Sequence, residues 1–415
     1  MSSGEWAPLP GMADLFSPES ELWHAVEEGA REVFSCYGVR EIRTPILERT
    51  SVFARALGEG TDVVQKEMFS FEDRGGRLVS LRPEGTAGVI RALLRLGAAA
   101  GERVFYMGPM FRAERPQAGR RRQFHQVGVE LLGPPSPMAD AECVALMAHL
   151  FERWGLGGVK IRVFTRGRSA DHPSVREGLL RTLEPHEAEL CAECQRRRST
   201  HPLRILDCKV AGCRTVVERL PPMTGFMSAE SRGYLEEVSR LLKRLGVPAE
   251  TDARLIRGLD YYEHTIWEAT HPALGAQDAV AGGGRYRIEI DGGVVEGVGF
   301  AVGLERVILA LSGGDAERFA RRPTVWLVAV GDRAREENLV WAQELRRGGV
   351  ACGLDLAGRS VKAQMRAADR SRAVWVAVRG DDELAAAACR LKNMATGEET
   401  VMPVAEATAR LRAGA

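Results

Sequence analysis

The chain lacks any apolar run long enough to cross a bilayer. Its longest candidates, such as AVWVAVRG at 373–380, have the length of a strand, whereas a membrane helix needs roughly 20 residues. The opening stretch MSSGEWAPLPGMADLF lacks the basic-then-apolar pattern of a secretion signal. No excess of either charge exists: 57 basic residues face 56 acidic ones, for a formal net charge of +1. That balance removes the basic footprint of general nucleic-acid binders, so an RNA partner must be argued from motifs. Eight cysteines in 415 residues are too sparse for a secreted disulfide scaffold. Neither an internal repeat nor a low-complexity tract is present. These absences leave a cytoplasmic globular protein of two or three domains, with 45% apolar and 27% charged residues.

What is there begins with a helix over 18–38. Pro18 suits a first turn, Leu22, Val26, Ala30, Val33 and Phe34 make an apolar stripe, and Gly38 ends it. VREIRTPILE follows as an extended segment, because Pro45 forces Thr44 away from helical angles. Strands are expected at 77–82 and 103–112, with a helix from about Gly85 to Leu96 between them. GPMFRAERPQAGRRRQFHQVGVELLG, 108–133, reads as a long hairpin turning at 115–119. On its second arm the two-residue period puts Phe124, Gln126, Gly128 and Glu130 on one face and Val127, Val129 and Leu131 on the other. The polar face reads equally as a wetted surface or as a pocket floor. His125 falls on the apolar face and is read as structural.

From 166 to 246 the sequence becomes helical and rich in Arg and Glu. Strand character returns at 254–268, a glycine run AGGGRY follows at 281–286, and GVGFAVGLERVILAL at 297–311 switches from strand to helix. The glycines form neither a P-loop nor a G-x-G-x-x-G fingerprint, and close strand approach explains them as well as phosphate does. Residues 312–323 read as a linker. TVWLVAVG, VACGLDL and AVWVAVRG are then short strands separated by helical patterns, the mark of a separate α/β unit. The expected division is a core in two parts, 1–165 and 247–320, a helical insertion at 166–246 and a final unit at 324–415.

Inside the insertion, Cys191-x2-Cys194-x13-Cys208-x4-Cys213 has spacing compatible with a four-thiolate zinc site. Four soft ligands would stabilise a piece too small for its own core. Free thiols are the alternative.

Three segments together resemble the class II aminoacyl-tRNA synthetases. The helix entering VREIRTPILE resembles their motif 1, FRAERPQAGRRRQFHQ their motif 2, and GFAVGLERVILAL, with Arg306, their motif 3. LIRGLDYYEHT at 255–265 and LRPEGTAG at 81–88 resemble the signatures of histidyl-tRNA synthetases. AGRSVKAQMRAADRSRA and GDDELAAAACRLKNMATGEE are similar to that family's anticodon-binding domain. The fold this implies is α+β: an antiparallel sheet flanked by helices, a helical insertion and a C-terminal α/β anticodon-binding domain.

The resemblance implies a histidine–tRNA ligase, joining L-histidine to ATP and passing it to the 3′ end of tRNA(His). Arginine suits such chemistry, being permanently charged and able to grip phosphate through two donors. By resemblance, Arg112 takes the α-phosphate and substrate carboxylate, Arg306 the γ-phosphate, and Arg120 reaches the phosphates from the hairpin. Arg257 is implied as an extra catalytic cation, where other class II enzymes lean more on Mg2+. Glu114 and Phe124 would surround adenine. Glu84, Gly85, Thr86 and Gln126 would hold the amino acid's ammonium or carboxylate, with Glu84 assisting proton handling. Glu130 and Tyr262 would meet the imidazole and Tyr261 would line the pocket. A symmetric homodimer through motif 1 is also implied.

Three departures from the family pattern stand out: Arg287 where GGGRYD has its aspartate, Arg121 where a tyrosine is common, and LPGMADL at the start. A rival resemblance is the histidine-sensing regulatory subunit of ATP phosphoribosyltransferase, which predicts a missing anticodon domain and eroded ATP arginines. A non-catalytic RNA- or metal-binding module would lean on the cysteines and the final unit. That unit, with 14 basic and 12 acidic residues in 324–415, is too balanced to bind RNA by charge alone.

Overall fold

A computed structural model describes residues 6–58, 61, 63–97, 101–115, 119–255, 261–275, 278–290, 293–311 and 322–413. The chain divides into two compact units, Met1–Arg318 and Phe319–Ala415. Among the described residues, no helix is long and apolar enough to cross a membrane.

In the first unit the helices are α1 (Glu19–Cys36), α2 (Thr50–Leu57), α3 (Thr86–Arg95), α4 (Pro137–Arg153), α5 (His172–Leu183), α6 (Ala192–Thr200), α7 (Ala211–Arg219), α8 (Ala229–Arg244) and α9 (Leu304–Leu311). Its strands are β1 (Arg40–Glu41), β2 (Leu47–Arg49), β3 (Ser70–Glu72), β4 (Leu78–Leu81), β5 (Arg103–Phe111), β6 (Gln123–Leu132), β7 (Lys160–Thr165), β8 (Ala249–Thr251), β9 (Tyr262–Thr270), β10 (Ala279–Ile290) and β11 (Gly293–Gly303). Eight of these form one sheet in the order β1-β5-β6-β11-β10-β9-β7-β8. All its pairings are antiparallel except β1 with β5 and β7 with β8, at the two edges.

The hairpin read at 108–133 is the β5–β6 pair, with Tyr106 opposite Gly128. Val127, Val129 and Leu131 are buried as its apolar face required. The stripe of α1 is buried too, and Trp154, just past α4, donates its indole N–H to Val26 O at 2.8 Å, fixing α1 against α4.

One expected boundary shifts. The strand expected from 254 begins at Tyr262. Before it, Asp252 turns the chain: its carboxylate accepts the Arg254 N–H at 3.0 Å and its carbonyl the Leu255 N–H, also at 3.0 Å. Residues 256–260 lie outside the described residues, as do 116–118 of the hairpin turn and 312–321 of the linker. The strand at 78–81 joins a separate three-stranded sheet, β2-β4-β3, rather than the large one.

In the second unit, β12 (Val325–Ala329), β13 (Cys352–Leu354), β14 (Trp375–Arg379), β15 (Ala388–Asn393) and β16 (Glu399–Pro403) make a sheet ordered β13-β12-β14-β15-β16. The first three strands are parallel and the last two antiparallel. Val325 and Leu327 pack with Trp341, Leu345 and Leu411, while Val328 and Val376 pack with Ala368. Both faces are therefore covered by helices, as unbroken apolar strands demand.

Candidate active site

The polar face of β6 forms the floor of a cavity of about 100 Å³, which collects Glu84, Thr86, Gln126, Glu130, Tyr261 and Tyr262 from three stretches of sequence. Glu130 is 1% exposed, and the Thr86 hydroxyl donates to its Oε1 at 2.7 Å. Burial raises the Glu130 carboxyl to about 8, with Thr86 and Tyr286 opposing the rise and the neighbouring Glu84 adding to it. Its seat requires glycine on the next strand, because a Cβ on Gly299 would lie 2.1 Å from Glu130 Oε2.

Glu84 is anchored from below. Its carboxylate accepts the backbone N–H groups of Thr86 at 2.7 Å and Ala87 at 2.9 Å, at the open N-terminus of α3. Burial raises its pKa; these bonds and Arg112 pull it back. Gln126 Oε1 is buried without a hydrogen-bond donor among the described residues. A lone acceptor in a polar cavity costs about 1–3 kcal/mol and calls for a ligand N–H.

Arg112 borders the same cavity, donates Nε–H to Pro83 O at 2.9 Å and lies 5.3 Å over the Phe124 ring. Beyond it, Arg120 and Arg306 line a larger cavity of about 740 Å³. Arg120 pairs with Glu114 at 2.8 Å, so two residues assigned separately to phosphate and adenine are partners. Arg306 donates to Gly119 O at 3.3 Å and to Ala279 O. Burial lowers its pKa, as do Arg120 and Arg112 nearby, while Glu114 opposes them. Of the three expected cations, Arg112 and Arg306 thus share one electrostatic neighbourhood, and Arg257 lies outside the described residues.

Sequence reasoning missed two tyrosines of the pocket, Tyr106 and Tyr286. A Cβ on Gly128 would lie 2.3 Å from the Tyr106 ring, which therefore lies over the floor where a side chain would otherwise stand. An aromatic residue facing a glycine across the hairpin was the available signal. It also missed the support under β10: Arg285, 2% exposed, grips the fully buried Asp140 with Nε and Nη2, both at 2.7 Å. The glycine run lies in β10, laddered to β9 and β11, so strand packing accounts for it.

His125, read as structural, donates its backbone N–H to both Glu305 carboxylate oxygens, and its ring lies edge-on to Trp23. Arg287 points away from the cavity, pairing with Glu289 at 2.5 Å, so the departure from GGGRYD leaves the pocket lining untouched. In the insertion, the Sγ atoms of Cys191, Cys194, Cys208 and Cys213 all lie within 4.8 Å of one another.

With this geometry established, the chain matches the family model described as Histidyl-tRNA synthetase over residues 11–307 and that described as Anticodon binding domain over 324–414. It is 42% identical to a histidine–tRNA ligase of Halothermothrix orenii, covering 95% of this chain and 96% of the relative. It is 44% identical to one of Anaeromyxobacter sp., covering 97% and 98%. The crystal structure of apo S. aureus histidyl-tRNA synthetase superposes with TM-score 0.80 at 33% identity, covering 98% of this chain and 100% of that one. A structure from Bacillus halodurans titled as an ATP phosphoribosyltransferase regulatory subunit/histidyl-tRNA synthetase shares the fold alone, at TM-score 0.64 and 20% identity over 91% of this chain and 97% of that one.

Proposed function

The chain belongs to the histidyl-tRNA synthetase family, and from that membership we propose how its residues divide the work of a histidine–tRNA ligase. A carboxylate oxygen of L-histidine attacks the α-phosphorus of ATP, and the bond from that phosphorus to pyrophosphate breaks. A terminal ribose hydroxyl of tRNA(His) then attacks the acyl carbon, and AMP leaves. The reading is carried by one juxtaposition: the Glu130–Tyr262 slot opens beside Arg112, and Arg112 acts electrostatically on Arg306.

In that slot Glu130 accepts a ring N–H of imidazole, Tyr262 faces the ring and Tyr261 closes the wall. Gln126 Oε1, which lacks a donor among the described residues, takes the ammonium together with Glu84, while Gly85 and Thr86 carry the carboxylate side. Glu84 receives the proton lost from the ribose hydroxyl. Arg112 bridges the carboxylate and the α-phosphate, with Arg257 as its catalytic companion. Arg112 covers one face of Phe124; adenine is assigned the other, beside Glu114. Arg120 and Arg306 take the β- and γ-phosphates. Little covalent chemistry is asked of the protein, so catalysis rests on positioning and charge. Mg2+ would neutralise the remaining phosphate charge. Cys191, Cys194, Cys208 and Cys213 would hold Zn2+ as a further, structural metal.

Histidine-dependent exchange of pyrophosphate into ATP, followed by charging of tRNA(His), tests the reading. Both steps are expected. Arg306→Ala should lower the exchange rate by about 10²-fold, the order seen when one donor to developing transition-state charge is removed. Histidine binding without exchange would instead support the sensor reading.

The working unit is a homodimer in the cytoplasm. Supporting the dimer, Ile46, Leu47, Phe71 and Leu78 expose apolar side chains around the small β2-β4-β3 sheet that follows motif 1. Sedimentation should give twice the 45.4 kDa chain mass, and Phe71→Glu with Leu78→Glu should give monomers with charging reduced about tenfold or more. A monomeric parent protein would refute this assembly.

A further inference from the structure

The insertion between β7 and β8 is built from short pieces. Its helices α6 and α7 have nine residues each, below the length at which helices persist by themselves. The four thiols meet where these pieces meet: Cys191 and Cys194 at the start of α6, Cys208 after the turn that follows it, Cys213 in α7. Cys194 and Cys213 are buried. The Cys191 N–H donates to Cys213 Sγ at 3.2 Å, the bond a thiolate ligand accepts. Tetrahedral zinc with Zn–S near 2.3 Å needs sulfurs about 3.8 Å apart, and all four lie within 4.8 Å of one another.

The same turn reaches the nucleotide side of the catalytic unit. Cys208, Lys209 and Arg214 line the 740 Å³ cavity together with Arg120, Ala279 and Arg306. Lys209 pairs with Asp207 at 2.7 Å, whereas Arg214 makes no ion pair among the described residues. A cation held at a fixed place in the cavity that Arg306 also lines suits a polyphosphate, and its place is set by Cys213, the ligand next to it in sequence.

We propose that one zinc ion on Cys191, Cys194, Cys208 and Cys213 fixes the 208–214 segment as the far wall of the ATP phosphate cavity, with Arg214 as a positioning residue for the triphosphate. Binding of Zn2+ displaces the thiol protons to solvent and involves no redox change. The wall rests on the reading of Arg306 as a phosphate ligand.

The test uses the full chain purified without chelator. Elemental analysis should give one zinc per chain, and the four thiols should resist a disulfide reagent until a strong chelator is added. Less than 0.2 zinc with freely reactive thiols, or two disulfides by mass spectrometry, overturns the metal site. Arg214→Ala, which keeps all four ligands, should retain zinc and the histidine dissociation constant while raising KM for ATP about 5- to 10-fold in pyrophosphate exchange. Arg214→Lys should recover much of that. The zinc-free protein, if it stays folded by circular dichroism, should show the same ATP-specific rise. If it unfolds, Arg214→Ala alone decides. An unchanged KM for ATP, including the case in which only KM for tRNA rises, overturns the wall while leaving the zinc standing. Arg306→Ala run in parallel separates the two failures: no effect of Arg306→Ala on ATP would sink the phosphate reading itself.

Discussion

Glu130→Ala is expected to lower kcat/KM for histidine by about 10³- to 10⁴-fold, or roughly 4–5.5 kcal/mol of transition-state stabilisation. The magnitude follows from the site. Glu130 is 1% exposed, so its replacement leaves a ring N–H without an acceptor where water enters poorly. Thr86 loses its partner at the same stroke, since its hydroxyl donates to Glu130. Steady-state exchange kinetics at varied histidine measure the loss; less than tenfold would place the imidazole elsewhere. Glu130→Gln separates binding from folding. In the ligand-free protein the carboxyl sits at about 8, raised from 4.5 by burial. A raised folded pKa means that its contribution to stability is complete below about pH 4.5 and is lost as pH climbs through about 8. At pH 8.5 the buried carboxylate therefore destabilises the apo protein by up to about 5 kcal/mol, and Glu130→Gln should melt higher than the parent there. At pH 5 the two should melt together. A variant more stable at high pH yet poor at activating histidine would mark Glu130 as a group kept for chemistry at a cost in stability. Equal melting at both pH values would refute the buried titration.

The pocket floor was legible because a strand alternates with a period of two: Gln126 and Glu130 had to share a face whichever way the sheet lay. The Tyr106 lining was not, because it depends on hairpin register, which places Tyr106 opposite Gly128. The likeness to motifs carried Arg112, Arg306 and the tyrosine pair across gaps that no local pattern spans. It could not show that Glu84 is tied to the end of α3, or that Glu114 and Arg120 are partners. The small β2-β4-β3 sheet was invisible for a similar reason: strands of three and four residues carry too little periodicity to say which sheet they join. The insertion's helical character followed from composition, whereas the convergence of its four thiols is a tertiary fact that spacing only permitted.

Nothing in the sequence pointed to Asp140, and its loss is expected to be the most damaging single change to stability. Asp140 is fully buried, accepts two bonds from Arg285 at 2.7 Å and a third from the Tyr234 hydroxyl at 3.0 Å. Asp140→Ala leaves the Arg285 guanidinium, 2% exposed, without a carboxylate, facing neutral acceptors such as the carbonyls of Gly133 and Pro134 at 3.1 and 3.2 Å. Stranding one partner of a buried ion pair costs about 3–5 kcal/mol, which for a unit of this size lowers Tm by roughly 6–10 °C. Scanning calorimetry of the full chain measures it. The pair also reaches the site: Arg285 precedes Tyr286, which faces Glu130 and opposes the rise in its pKa, so KM for histidine should rise even where the variant is fully folded. Removing both charges distinguishes a stranded charge from lost packing. Asp140→Leu with Arg285→Met should recover most of the stability, because an apolar pair of similar volume avoids the desolvation cost, yet leave KM for histidine raised because β10 is no longer pinned. If the double variant melts no higher than Asp140→Ala, the cost lies in packing around α4 and not in the buried charge.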